Sequence, residues 1–206
     1  MPKARDEYLT TKQRQSYDNI EGGALIIVAL LPLFLLLPLF VIFHESLFSS
    51  AKSENFSSTT DRLLYTLKMQ AAPAFLLQLS ILFVVAKRGL NPITRNPLSG
   101  HEYVVEKAVR ILSNTLEQLV GFELGLFIYA VLAEDRFLYL IPAMVIVFCV
   151  GRVAFAIGYL VQPKYRIMGF VWTFLPTISL TVFNLVKWSV GVDLLVVIEK
   201  VLEAIF

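Results

Sequence analysis

The sequence is poor in the residues that build disulfides and metal centres. Cys149 is its single cysteine, which excludes any disulfide within the chain and any cysteine-rich metal site. The two histidines, His44 and His101, lie far apart and lack the paired spacing of a zinc-binding helix. Secreted disulfide scaffolds and metalloenzymes are therefore disfavoured, and we expect no metal ion.

Charge is also scarce. Charged residues make up 17% of the 206 residues, the net charge is +2, and no dense run of lysine and arginine is present that would bind nucleic-acid phosphates. Apolar residues reach 57% and the mean hydropathy is +0.70, whereas soluble domains contain roughly 45–50% apolar residues. A chain of this length buries only about 70% of its surface on folding, so one core cannot hide this excess. The composition predicts an integral membrane protein.

Five apolar runs are long enough to span a bilayer, for which a helix needs about 20 mostly apolar residues. They are Ala24–Phe43, Met69–Ala86, Tyr103–Ala133, Phe137–Val161 and Ile167–Val186. The first is expected to be a retained anchor, because its polar leader and its apolar run are longer than those of a signal peptide. Residues 188–206 place polar side chains on an apolar background and predict an amphipathic helix that packs on the protein or lies at the membrane surface. We therefore expect an all-α membrane protein.

Lysine and arginine flank the predicted spans unequally, with ten on one side of the membrane and six on the other. Because cytosolic loops carry the excess, we expect a cytosolic N-terminus and a lumenal or extracellular C-terminus. The predicted organisation is a cytosolic segment (1–23), an extra transmembrane helix (24–43), a lumenal loop (44–62), a four-helix membrane domain (63–187) and an amphipathic tail (188–206). The sequon that begins at Asn55 falls in the lumenal loop, where we expect glycosylation.

Two series of polar residues lie inside the predicted spans. The first, at spacings of four, four, three and four, is Glu106, Arg110, Asn114, Glu117 and Gly121, and the second is Arg152, Phe155 or Ala156, and Tyr159. Such spacings line residues along one face of a helix, and a charge inside a bilayer costs at least a few kcal/mol unless it is paired or solvated. Two interpretations stay open. The charges form the pairs Arg110–Glu106, Arg110–Glu117 and Arg152–Glu117, or they bind a zwitterionic ligand such as a small peptide.

The two series resemble a known family. Glu106-xxx-Arg110-xxx-Asn114-xx-Glu117 resembles the second-helix signature of the MAPEG superfamily, the membrane-associated proteins of eicosanoid and glutathione metabolism. The later pattern, which resembles that family's third helix and following loop, is Arg152-xx-Phe155-xx-Gly158-Tyr159 with Arg166. The resemblance covers residues 63–187 and implies a four-helix membrane domain that assembles as a homotrimer. The helix at 24–43 would be an addition to this domain.

The resemblance also implies a ligand and roles for individual residues. Glutathione would lie between subunits near the cytosolic side, in contact with Arg110, Asn114, Glu117, Arg152 and Tyr159. Arg166 matches the arginine that stabilises the glutathione thiolate, since a nearby cation lowers the pKa of a thiol, and Glu106 would serve as a structural ion-pair partner. A lipophilic electrophile would arrive from the bilayer, so the implied activity is that of a glutathione-dependent transferase, peroxidase or isomerase on lipid substrates.

Several departures favour a different branch of the family. Phe155 stands where several glutathione-binding members have tyrosine, and Gln118 stands where an aromatic residue often follows the glutamate. The segments at Leu63–Lys68 and Gly169–Leu185 and the extra helix resemble the mattrin branch, whose role concerns the biogenesis and trafficking of Frizzled receptors and thus Wnt signalling. The sequence leaves three functions open: a glutathione-dependent enzyme, a non-catalytic regulator with a Frizzled-type receptor as partner, and a lipid-binding protein. For each we expect the endoplasmic reticulum or Golgi and endolysosomal membranes as the location.

Overall fold

The computed structural model describes residues 56, 58–96, 98 and 100–205. The extra transmembrane helix predicted at Ala24–Phe43 and the sequon residue Asn55 lie outside these residues, so both stay predictions. The described part is helical throughout and contains no β-strand. Its α-helices are α1 (Thr59–Met69), α2 (Ala71–Leu90), α3 (Glu106–Leu132), α4 (Leu140–Val161), α5 (Arg166–Val190) and α6 (Leu194–Ile205).

Four helical segments have the length and the hydropathy of membrane spans. They are Thr59–Leu90, Glu106–Leu132, Asp135–Val161 and Pro163–Val190. The four spans predicted from Met69 onwards are thereby confirmed as apolar helices of spanning length. Short 3-10 turns connect them at Pro92–Thr94, Glu102–Val104, Asp135–Phe137 and Pro163–Tyr165, so that consecutive long helices run antiparallel.

The first of these helical segments begins earlier than hydropathy indicates, at Thr59 rather than Met69. Ser58 and Asp61 form a capping box, in which Asp61 N donates to Ser58 Oγ at 3.2 Å and Ser58 N donates to Asp61 Oδ2 at 3.0 Å. These bonds satisfy two amides that the helix itself leaves without partners. Hydropathy does not predict this start, because α1 contains polar residues, Arg62 among them.

Helices α4 and α5 pack closely because small residues line their contact. A Cβ atom on Gly158 would lie 2.7 Å from the carbonyl oxygen of Tyr165, and one on Gly151 would lie 2.7 Å from Thr173 Cγ2. Glycine allows two helix backbones to approach in this way, which is a common device in membrane proteins. The close approach sets the register of the two helices and brings Thr173 next to Arg152.

Two apolar clusters fill the bundle. The larger one includes the stacked rings of Phe122 and Phe148, with centroids 4.2 Å apart, and Tyr129, whose hydroxyl donates to Phe137 O at 2.9 Å. The smaller one consists of Ile111, Phe155 and Tyr159. It lies toward the end of the bundle where α2 and α4 terminate and α3 and α5 begin, which we call the basic end. Its cationic residues are Lys87, Arg88, Arg95, Lys107, Lys164 and Arg166.

Ion pairs join the helices at the opposite end. Arg62 pairs with Asp135 and donates to Ala133 O at 3.0 Å. The short helix α6 is held there by two pairs, Arg136–Glu199 at 2.8 Å and Lys187–Asp193 at 3.0 Å. Its residues Leu194, Leu195 and Val196 pack against the larger cluster. The tail is thus an amphipathic helix with one face on the protein.

Candidate functional site

Arg152 links three helices from the interior of the bundle. Arg152 is only 3% exposed. It lies about 14 Å along α4 from the last residue of that helix, at 1.5 Å per residue. Its Nη1 donates to Asn114 Oδ1 of α3 at 2.9 Å, and its Nη2 donates to the hydroxyl of Thr173 on α5. The third guanidinium nitrogen, Nε, is buried without a hydrogen-bond partner.

A series of two aromatic rings between two cations runs from Arg152 to the basic end. The guanidinium carbon of Arg152 lies 4.6 Å from the ring centroid of Phe155, and that ring lies 5.9 Å from the ring of Tyr159. The guanidinium carbon of Arg166 lies 5.4 Å from the ring centroid of Tyr159. Cations over aromatic faces are attracted by the ring quadrupole. The structure therefore brings Arg152 and Tyr159, predicted ligand residues, and Arg166, the predicted catalytic residue, into one continuous arrangement.

The predicted site residues of α3 fall into two groups. Glu106, Arg110 and Glu117 form what we call the outer stripe, which is exposed on the surface of the helix, and Glu106 Oε1 lies 3.7 Å from Arg110 Nε. Glu117 forms no ion pair with any described residue. Asn114 lies at the edge of the outer stripe, half-buried, where its amide reaches Arg152.

Of the three ion pairs considered from the sequence, Arg110–Glu106 is therefore present, and the two pairs of Glu117 do not form among the described residues. Contact of a charged carboxylate with the acyl chains of a bilayer costs free energy. Among the described residues the outer stripe is exposed, and the Glu106–Arg110 contact is the ion pair that it forms.

A groove opens on the other side of α3. Its volume is about 220 Å³, and it lies between α2, α3 and α4. Ile111 and Thr115 line it from α3, roughly 100–180° around the helix from the outer stripe at about 100° per residue. Arg152, although buried, is among its lining residues. We call it the Arg152 groove.

Sequence reasoning missed two features of this region. Thr173 was not recognised as a partner of Arg152, and Ser80 and Thr115 were not recognised as the polar residues of a groove. A signal was present, since short hydroxyl residues inside apolar spans commonly hydrogen-bond between helices. The sequence did not give the register between helices that brings these residues together.

The site contains no metal-binding arrangement in the part of the chain that the structure describes, where no three or more histidine, cysteine, aspartate or glutamate side chains converge. Its polar groups are instead guanidinium, carboxylate, amide and hydroxyl groups. This set suits a ligand with carboxylate and ammonium groups.

Comparison with known proteins gives one match. A sequence model of the MAPEG family matches residues 66–186. No curated protein and no solved structure matches the chain. The matched range extends from α1 into α5 and includes the outer stripe, Asn114, Arg152, Tyr159 and Arg166.

Proposed function

The chain belongs to the MAPEG family, whose sequence model covers more than half of it, and we propose that it binds glutathione or a related peptide between the subunits of a homotrimer. Four apolar helices of spanning length, together with this membership, make it an integral membrane protein. Binding and turnover are tested separately, because the residues that bind the ligand differ from the residue that would activate its thiol.

The observation that carries the proposal is the exposed outer stripe. Arg110 and Glu117 present opposite charges on the surface of a membrane-spanning helix, and Glu117 has no partner among the described residues. Lipid does not satisfy these charges, so a neighbouring subunit and a zwitterionic ligand are the coverings that match them. Glutathione carries two carboxylates and one ammonium group, which is the complement of one arginine, one further cation and one glutamate.

Each residue then has a distinct role. Arg110 would bind a ligand carboxylate through its guanidinium fork, and Glu117 would accept hydrogen bonds from the ammonium group. Asn114 already accepts a hydrogen bond at Oδ1 from Arg152, so its Nδ2 is the group left to donate to the ligand. Arg152 and Tyr159 would therefore act mainly as positioning residues, Arg152 through Asn114 and Tyr159 through the ring that supports Arg166.

Arg166 is the residue that would stabilise the thiolate of bound glutathione. It is the first residue of α5, it is exposed at the basic end, and its guanidinium lies over the ring of Tyr159. A fixed cation beside a thiol favours the thiolate, which is the nucleophile toward electrophiles. If turnover occurs by conjugation, the thiolate sulfur bonds to an electrophilic carbon, and the displaced electron pair goes to the leaving group or ring oxygen, which takes up a proton. If a lipid hydroperoxide is reduced, the thiolate attacks the terminal oxygen, the O–O bond breaks to release the lipid alcohol, and a second glutathione converts the resulting sulfenic acid to glutathione disulfide and water.

We propose that the basic end faces the cytosol, in the endoplasmic reticulum or in Golgi and endolysosomal membranes. The described residues support this orientation, because six cationic side chains cluster at that end and cytosolic loops carry such an excess. Glutathione and the ligand groups of the outer stripe would then share one compartment.

A second candidate function is non-catalytic regulation of a membrane receptor of the Frizzled type. Phe155 favours it, because this buried ring between Arg152 and Tyr159 carries no hydroxyl group that could bind or polarise a ligand. A pocket that binds without reacting would suit a regulator of receptor biogenesis or trafficking. In this case the same fold would present an outer surface to the receptor.

Titration of the purified oligomer with glutathione, beside an assay of conjugation and of lipid-hydroperoxide reduction, tests the proposal. We expect saturable binding in the wild type, and Arg166→Ala should abolish turnover while it weakens binding only modestly. Binding without turnover in the wild type would favour the regulator, and co-purification of a receptor with Arg166→Ala would strengthen that case. No saturable binding in the wild type would refute the glutathione site itself.

A further inference from the structure

Helix α6 is held against the bundle along one face. Leu195 and Val196 pack against the larger cluster, and Glu199 forms an ion pair with Arg136 at 2.8 Å. The three side chains of α6 lie within about 100° of one another around the helix, at about 100° per residue. These contacts fix the rotation of α6 about its own axis, and with it the direction of the opposite face.

The opposite face of α6 is aliphatic and exposed among the described residues. We call it the outward face, and it consists of Val197, Ile198 and Val201, whose exposed fractions are 46%, 53% and 52%. Lys200, which is also exposed, borders this face. An aliphatic face beside a long cationic side chain is typical of a helix that lies at a membrane surface, because the cation reaches the head groups while the apolar residues enter the bilayer.

The contacts of α6 place it level with the last turns of the membrane spans. The larger cluster on which it packs includes Tyr129, near the end of α3, and Phe183 of α5. Directly before α6, Asp193 is only 8% exposed and pairs with Lys187 of α5 at 3.0 Å. The helix therefore begins beside the last turn of α5 and packs on side chains that belong to the spans.

The exposed surface of α5 shows what surrounds the protein at this depth. Leu185 and Trp188 are exposed there, Trp188 to 76%. Tryptophan is enriched at the boundary between acyl chains and head groups, where its ring is apolar on one side and wet on the other. Trp188 follows Lys187, the residue to which Asp193 joins the start of α6. The outward face of α6 therefore meets the same boundary of the bilayer.

We propose that α6 lies in the plane of the membrane at this end of the bundle, with its outward face among the acyl chains and Lys200 at the head groups. The sequence left open whether this segment packs on the protein or lies at the membrane surface, and in this arrangement it does both. The outward face carries no charge, so the contact does not require anionic lipid. The proposal does not depend on glutathione and goes beyond the function proposed above.

Spin labelling of the full-length protein in phosphatidylcholine nanodiscs tests this arrangement. Cys149→Ala removes the single cysteine, and Val201→Cys or Lys200→Cys then places one nitroxide at neighbouring exposed positions of α6. Oxygen concentrates in the bilayer and a charge-neutral nickel chelate concentrates in water, so the ratio of their collision rates with the nitroxide reports its depth. We expect this ratio to be several times higher at position 201 than at position 200.

Three further results would overturn the proposal. Equal ratios at positions 200 and 201 would show that the outward face lies in water. Low collision rates with both reagents at position 201 would show that protein, such as a second copy of this chain, covers the face. Insertion only after part of the phosphatidylcholine is replaced by phosphatidylglycerol would assign the contact to the charge of Lys200. Ile198→Cys places a second label on the outward face and replaces Val201→Cys if that variant does not fold.

Discussion

The guanidinium of Arg152 on α4 donates a hydrogen bond to the amide oxygen of Asn114 on α3, with Nη1 and Oδ1 2.9 Å apart. The two residues are 38 positions apart in sequence, and both lie well inside apolar helices. This contact connects the interior of the bundle with the edge of the outer stripe. It fixes the orientation of the Asn114 amide, which we propose as a contact of the ligand.

Replacement of Asn114 by alanine tests the structural value of this contact. We expect Asn114→Ala to lower the free energy of unfolding by about 1.5–3 kcal/mol, the range for a hydrogen bond that involves a charged group. The reason is that Arg152 then keeps only the hydroxyl of Thr173 among its side-chain acceptors. Chemical unfolding in detergent measures the effect, and Ser113→Ala, at an exposed neighbouring position, should stay within about 0.5 kcal/mol of the wild type. Equal stability of the two variants would contradict this role.

Two glycines should respond to alanine in opposite ways, because Gly158 lies at the close contact of α4 with the start of α5 and Gly89 of α2 lies in open space. Gly158→Ala should destabilise the protein by about 1–3 kcal/mol, because its Cβ would lie 2.7 Å from the backbone oxygen of Tyr165, which has little freedom to move. Gly89→Ala in α2 meets no atom within 4 Å and should stabilise the helix by about 0.5–1 kcal/mol. Thermal unfolding of both variants measures the difference. A gain in stability for Gly158→Ala would show that these helices do not pack as described.

The ion pair that holds α6 should behave as a coupled unit. Lys187→Met leaves the buried carboxylate of Asp193 without its cation, and we expect a loss of about 1–3 kcal/mol. Addition of Asp193→Asn should recover part of this loss, because the amide removes the charge and still accepts the hydrogen bond from Leu195 N at 3.0 Å. Unfolding of the two single variants and the double variant gives the coupling energy. Additive losses would mean that the pair does not act together.

Amide hydrogen exchange of α6 provides a second readout for the same variants. We expect Lys187→Met to speed exchange in residues 194–201 and to leave the centre of α3 unchanged, because the pair joins α6 to α5 only. Unchanged exchange in α6 would show that its apolar face alone holds it in place.

Hydropathy and spacing were sufficient to predict the four described spans and the polar residues within them. The beginning of α1 was not predictable from hydropathy, because a capping box determines it while Arg62 makes the segment look polar. Arg62 is tolerated there because it pairs with Asp135, and this partner is 73 positions away and comes into contact only in the folded bundle.

The sequence likewise did not predict that the candidate site is divided between two faces of α3, the outer stripe and the side that meets Arg152. Spacing places Asn114 and Glu117 on nearby positions of α3, but it does not say which of them meets Arg152. The answer depends on the rotation of α3 against α4 and on the glycine contacts that bring Thr173 to the guanidinium. Helical periodicity specifies the faces of one helix, whereas the register between helices follows from packing.

A matched pair of variants on α3 tests most directly whether the outer stripe binds glutathione. Glu117→Gln removes the carboxylate of the outer stripe, and Glu123→Gln removes the same charge from a different face of the same helix. Isothermal titration of the purified oligomer should show saturable glutathione binding in the wild type and in Glu123→Gln, and a loss of affinity of at least about tenfold in Glu117→Gln. Equal affinity in the two variants, or no saturable binding in the wild type, would show that the outer stripe does not bind glutathione.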